Sequence, residues 1–351
     1  MTPPDPLATL PLGEARSGEA RADEARAGEA EGFRPALDLA PVARAVDALR
    51  REIGRVVVGQ AALIDELIAA VLAGGHALIE GVPGVAKTLT ARLLARASGL
   101  DYRRIQFTPD LMPADVLGSS VFNPTTGAFQ FHPGPVFGQI VLIDEINRAP
   151  AKTQAALFEV MEERQATVDG RVYPMPAPFV VVATQNPVEH EGTYRLPEAQ
   201  LDRFLFKVVV GYPSLDDEVA MLARAQEAGG LSAEAARAVL SAEALTEAQT
   251  LVRRVRAEPP VLRYAARIVG ATREHPALFL GASPRATLSL VQGARAVAAM
   301  SARDFVTPED VRLVVAPVLR HRVLLTPERE IEGVQVETVL QRLVDETDVP
   351  R

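Results

Sequence analysis

The chain predicts an α/β fold, a core with a parallel sheet flanked by helices, followed by a C-terminal all-helical domain. Three observations predict it. Short apolar runs stand at 140–143 and 179–184, with a third at 76–80 bounded by glycines. Runs of that kind suit strands buried on both faces. Segments with helical spacing fall between them, and strands alternating with helices imply a parallel sheet. Strand signals then thin out after residue 212, where helix-start signals take over.

In chain order, residues 1–35 read as a disordered acidic tail. Glu14, Glu19, Glu24 and Glu29 recur every five residues, and seven acids face three arginines before Phe33. Such a composition cannot bury enough apolar surface to offset its ordering entropy. An α/β domain is expected over 36–212. Residues 42–54 and 61–73 read as helices, and Val58, Gly59 and Gln60 lie between them. A strand at 76–80 leads into a glycine-rich loop and a helix to about Ala97, with Leu89, Leu93 and Leu94 on one face. Further strands fit 140–143 and 179–184, with a helix at 151–163 between them. The helical domain is expected over 213–351. Ser214 before Asp216, Asp217 and Glu218 is an N-cap with an acidic first turn. Thr307-Pro308-Glu309-Asp310 is a second helix start. A small hairpin is expected near 323–337.

Composition narrows the function. The chain is 48% apolar and long enough for a sizeable core. It has no cysteine, which excludes disulfides, thiolate metal sites and cysteine nucleophiles. Its net charge of −8, with few aromatics and no basic stripe, argues against nucleic acid as a partner. No apolar run spans a membrane and no basic-then-apolar leader is visible, so a cytoplasmic location is expected.

Two segments carry the chemistry. Gly81-Val82-Pro83-Gly84-Val85-Ala86-Lys87-Thr88, followed by Leu89, joins a strand to a helix N-terminus. Backbone N–H groups there point at a bound anion, and the helix dipole adds to the attraction. Lys87 in the first turn opposes that dipole unless a phosphate is present. Thr88 offers a hydroxyl to Mg²⁺. Ala86 stands where the strict phosphate-loop pattern has glycine. Asp144 and Glu145 close the second segment, after four apolar residues. Asp144 suits a magnesium ligand and Glu145 a group that polarises water. Asn186 follows a third strand and could orient the same water. Two arginines, Arg203 and Arg285, are open to either reading: a surface salt bridge, with Asp202 or Glu198 in the case of Arg203, or a phosphate contact.

The strings GVPGVAKT, LIDEINRAP, ATQNPVEHEGTYRLPEAQLDRF and GASPRATLSL, in this order, resemble the AAA+ ATPases and within them the MoxR family. The resemblance covers roughly 41–330, and that family commonly carries alanine at the position of Ala86. It implies ATP and Mg²⁺ as cofactors. Lys87 and Thr88 would end the Walker A loop, Asp144 and Glu145 form the Walker B pair, and Asn186 be sensor 1. Arg203 resembles an arginine finger and Arg285 sensor 2, while Val58-Gly59-Gln60 resembles the segment near adenine. Val121–Gly134 resembles the insertion in the second core helix, and Asp169–Tyr173 the hairpin before sensor 1. Arg195 and His190 depart from the family pattern, which commonly has proline and glutamine there. The resemblance further implies a homo-oligomeric ring, most often a hexamer, acting as a chaperone on protein complexes with a von Willebrand A-type (VWA) partner. Two other functions fit the residues less well. One is a slow ATP-binding switch or scaffold; the other is a DNA-stimulated helicase or loader.

Overall fold

A five-stranded parallel sheet positions everything that follows. The structure is a computed structural model, and it describes residues 37–82, 84–186, 194, 196–228 and 233–350. The acidic tail expected over 1–35 lies outside the described residues, as do Pro83, His190 and Arg195. Leu37–Arg351 form one compact unit.

The N-terminal half runs α1 (Ala40–Gly54), α2 (Ala61–Ala73), β1 (Ala77–Gly81), α3 (Lys87–Ala97), β2 (Tyr102–Gln106) and α4 (Pro113–Leu117). The hairpin β3 (Gly118–Asn123) and β4 (Ala128–Pro133) comes next, then β5 (Ile140–Asp144) and α5 (Ala151–Glu163). A second hairpin, β6 (Gln165–Val168) and β7 (Arg171–Pro174), precedes β8 (Val180–Gln185), α6 (Glu198–Leu201) and β9 (Phe206–Val210). The sheet order is β2-β5-β8-β1-β9, with every pairing parallel.

The central strands read as continuous apolar runs because both of their faces are covered. Alternate residues serve two separate cores. Ile79, Ile140, Leu142, Val180 and Val182 pack with α1, α2, α3 and the C-terminal helices. Leu78, Val141, Ile143, Val181 and Ala183 pack instead with Leu157, Phe158 and Met161 of α5 and with Phe107. The two-residue period of a strand makes this division automatic. The edge strand β2 lacks that signal: in Tyr-Arg-Arg-Ile-Gln only Ile105 is buried.

The C-terminal part is helical, as the sequence predicts. It comprises α7 (Leu215–Ala228), α8 (Ala242–Arg254), α9 (Pro259–Glu274), β10 (Leu278–Leu280), α10 (Pro284–Met300), α11 (Pro308–Leu319), β11 (Leu324–Leu325), α12 (Pro327–Ile331) and α13 (Val336–Glu346). Both helix-start signals form. The Asp217 N–H donates to Ser214 Oγ at 3.2 Å. Thr307 and Asp310 form a reciprocal capping box at the start of α11. The hairpin expected at 323–337 does not form. Leu324–Leu325 pair antiparallel with the distant Leu278–Leu280, and Thr326-Pro327 starts α12 instead. Proline at the first helical position favours the helix over a returning strand.

Candidate functional site

Parallel register sets the strand ends level. Gln106 lies opposite Asp144, and Glu80 lies opposite Gln185. The carboxyl edge of an open α/β sheet is where ligands bind, because the connecting loops part there. A cavity at this edge, about 380 Å³, is lined by Gly84, Ala86, Lys87, Thr88, Leu89, Arg104, Gln106, Asp144, Glu145, Thr184 and Asn186.

The loop from β1 to α3 is shaped by its small residues. A Cβ on Gly81 would sit 2.6 Å from the carbonyl oxygen of Val210, so only glycine allows β1 and β9 to approach this closely. Gly84 has φ 86°, a left-handed conformation that favours glycine. Ala86 also lies in the left-handed region, with φ 59°. Alanine costs about 1 kcal/mol there, and the Thr90 N–H and hydroxyl both donate to its carbonyl, at 2.8 and 2.9 Å. The Lys87 ammonium is turned inward and donates to the carbonyls of Gly81 and, at 3.3 Å, of Gln185.

Asp144 is 5% exposed and is the centre of the polar network. Its Oδ1 accepts from the Thr88 hydroxyl at 3.1 Å and from the Thr184 hydroxyl at 3.0 Å. Its Oδ2 accepts from Arg104 Nε at 2.6 Å, and this bond raises the guanidinium pKa above its ordinary value. Arg104 Nη2 also donates to Gln106 Oε1 at 3.2 Å, and Gln106 Nε2 donates to Glu145 Oε2 at 2.8 Å. Arg148 pairs with the same Glu145 oxygen at 3.1 Å. Glu145 itself has φ 57°, and its N–H donates to Thr184 Oγ1 at 3.0 Å. That left-handed turn ends β5 and presents the carboxylate to the cavity.

The residues fit a magnesium ion. Thr88 and Asp144 converge on one point with a hydroxyl and a carboxylate, the hard oxygen donors that ion takes. Among the described residues no cluster of three or more His, Asp or Glu side chains is placed to hold a metal.

Other expected residues stand apart from the cavity. Val82 packs against the core and Val85 is buried. Gly59 faces Asp217 at the start of α7, and Gln60 Nε2 donates to the Gly211 carbonyl at 3.4 Å. Arg203 and Arg285 do not line the cavity either, and both meet Glu162 on α5. Arg203 forms an ion pair with it and donates to the Phe158 carbonyl at 3.3 Å. Arg285 Nη2 lies 3.2 Å from Glu162 and its Nε lies 3.9 Å from Asp202. Burial and the neighbouring Arg285 charge lower the Arg203 pKa. The salt bridge expected for Arg203 therefore exists, but with Glu162 rather than Asp202 or Glu198. Asp202 is held by Arg322 Nε at 2.6 Å.

Six participants escaped the sequence reading: Arg104, Gln106, Arg148, Glu162, Thr184 and Arg322. The first two lie on an edge strand without an apolar run. Thr184 ends a strand that was recognised, so a polar residue at a strand end was the available signal. Arg322 sits in no motif.

Residues 76–206 match the ATPase family associated with various cellular activities (AAA), and residues 270–343 match the AAA lid domain. The uncharacterised protein YeaC of Bacillus subtilis is 46% identical over 85% of this chain and 92% of its own length. The chaperone MoxR1 of Mycobacterium tuberculosis is 43% identical over 86% of this chain and 81% of its own. A crystal structure of a candidate ATPase from Cytophaga hutchinsonii superposes with a TM-score of 0.81 at 38% identity, covering 88% of this chain and 96% of that one. The phosphate-loop fold, the paired AAA and lid domains and these relatives together make the chain a member of the MoxR family of AAA+ ATPases.

Proposed function

We propose that the chain hydrolyses Mg²⁺–ATP in a cytoplasmic homo-oligomeric ring, a hexamer by family analogy, and uses the energy to remodel protein complexes with a VWA-domain partner. The convergence of Lys87, Thr88, Asp144, Glu145 and Asn186 on one cavity carries this reading. It divides the chain into a nucleotide-binding domain over 36–212 and a lid over 213–351. Among the described residues no helix is long and apolar enough to cross a membrane.

In this reading the loop N–H groups from Gly84 to Thr88 cradle the phosphates, and Lys87 leaves its carbonyl partners to reach the terminal phosphates. Thr88 and Asp144 hold the magnesium, which neutralises charge on the phosphates. Glu145 accepts a proton from the attacking water, and Asn186 orients that water. Val58, Gly59 and Gln60, at the junction of α2 and α7, flank the adenine. Arg203 and Arg285 share one carboxylate outside their own cavity, an arrangement suited to serving a neighbouring copy's γ-phosphate.

The test is complementation. Lys87→Ala and Arg203→Ala are each expected to be inactive alone. Mixed, they are expected to recover part of the turnover, because an intact pocket then meets an intact arginine. A mixture as inactive as its components would refute the composite site. Glu145→Gln is expected to retain bound ATP, and unchanged hydrolysis would remove Glu145 from its role.

A further inference from the structure

We propose that Arg104 is a built-in stand-in for the metal at Asp144, so that the site takes up a metal–nucleotide complex and rejects the free divalent cation. The inference rests on the reading of Asp144 as a magnesium ligand.

The geometry begins with the sheet. Arg104 on β2 lies opposite Leu142 on β5, and Gln106 lies opposite Asp144. In a strand the residues i and i+2 share a face, so Arg104 and Asp144 are diagonal neighbours within reach of a long side chain. The guanidinium takes that diagonal, with Nε 2.6 Å from Asp144 Oδ2. The Asp144 side chain is 7% exposed and that of Arg104 is 52% exposed. A buried acid is therefore capped by a cation whose other face is open to water. The Thr88 and Thr184 hydroxyls lie nearest Oδ1, with Thr88 also 3.4 Å from Oδ2, and the arginine caps Oδ2 at the shorter distance.

A buried carboxylate without a cation is unstable, and a charge-assisted bond to arginine is among the strongest available to it. A free divalent ion must expel the guanidinium and lose hydration with no phosphate to help it. A metal–nucleotide complex offers what the free ion lacks. Its anionic oxygens enter the same cavity, where the displaced guanidinium can pair with them while the metal takes Asp144. The exchange is then one of partners rather than a loss of one. Arg104 also donates to Gln106, which holds Glu145. Movement of Arg104 is therefore felt at the second acid as well. Arg104 is a positioning residue here: it acts through Asp144 and the incoming phosphate.

The experiment uses the full chain without nucleotide and two probes. Mn²⁺ alone is titrated by electron paramagnetic resonance, and a fluorescent N-methylanthraniloyl ATP is titrated with Mg²⁺ and with EDTA. Arg104→Gln, on an exposed edge-strand side chain, is expected to bind Mn²⁺ alone about tenfold more tightly than the parent, an affinity step set by one charge-assisted bond. Arg104→Lys keeps the charge and is expected to stay near the parent. In Arg104→Gln the nucleotide affinity in EDTA is expected to fall, because the phosphate loses a cation. Mn²⁺ affinity unchanged or weakened in Arg104→Gln, with metal-dependent nucleotide binding intact in the parent, overturns the inference alone. Nucleotide binding in the parent that is indifferent to Mg²⁺ overturns the magnesium reading of Asp144 and this inference with it.

Discussion

The cavity at the sheet edge and the arginine cluster beside α5 are assembled on different principles. The cavity's lysine, threonines and acids stand at strand ends or in the first turn of α3, and the parallel register brings those ends level. The cluster draws Glu162, Asp202, Arg203, Arg285 and Arg322 from four segments spread over 160 positions. The cavity has its own acids, hydroxyls and lysine in contact. The cluster holds cations around carboxylates. The contrast teaches that groups read from local motifs can meet in one cavity while cations from distant segments settle on shared carboxylates.

Breaking that contrast at its functional end gives the largest expected effect. Arg203→Ala should lower turnover by about 10³–10⁵-fold with ATP affinity nearly unchanged, measured by steady-state phosphate release and by equilibrium nucleotide binding. Turnover like the parent's would make the cluster a structural salt bridge and nothing more.

The cluster also depends on Arg322, whose side chain is 2% exposed. Arg322 donates to Asp202 Oδ1, to the Asp202, Phe204 and Leu205 carbonyls, and to Val318 on α11. It thus ties the segment that carries Arg203 to the lid helices. Arg322→Ala leaves Asp202 and several carbonyls without their donor and should cost about 3–5 kcal/mol, read from urea denaturation. A loss below about 1 kcal/mol would class it with surface pairs.

A third measurement probes the amino-terminal edge of the sheet, opposite the cavity and next to the arginine cluster. His76 precedes β1, accepts from the Val181 N–H through Nδ1 at 2.9 Å, and faces the Met161 carbonyl through Nε2 at 3.1 Å. That pattern requires the neutral ring with the proton on Nε2. Burial lowers its pKa to about 4. The unfolded chain takes up this proton near pH 6.5 and the folded chain only near 4. The contribution is therefore fully present above pH 6.5 and is lost as pH falls toward 4. It amounts to about 3 kcal/mol. His76→Gln should flatten the acid limb of stability against pH; an unchanged limb would assign that limb to other groups.

The smallest effect is expected inside the phosphate loop. Ala86→Gly relieves a left-handed alanine but frees the unfolded chain, and these terms nearly cancel. Stability should shift by less than about 1 kcal/mol, with nucleotide affinity retained. A large loss of affinity would show that the Ala86 methyl shapes the loop.

Legibility in the sequence followed locality. Gly81–Thr88 and Ile140–Glu145 could be read because each motif lies within eight consecutive residues and its apolar run marks a buried strand. The helix starts at Ser214 and Thr307 were legible for the same reason. Arg104 and Gln106 were not, since an exposed edge strand carries no apolar run to announce it. The short pairing of Leu324–Leu325 with Leu278–Leu280 was misplaced, because two residues carry too little periodicity to name a distant partner.

By itself the sequence determined the parallel α/β sheet, the helical region after it, the phosphate loop and the two acids at the end of β5. Those depend on spacing within a few residues, where covalent geometry leaves little choice. The tertiary structure decided which cation reaches which acid. It placed Arg104 on Asp144, gathered Arg203 and Arg285 on Glu162, and locked Asp202 with Arg322. Long side chains on separate elements pair by distance and burial, and the folded chain sets both.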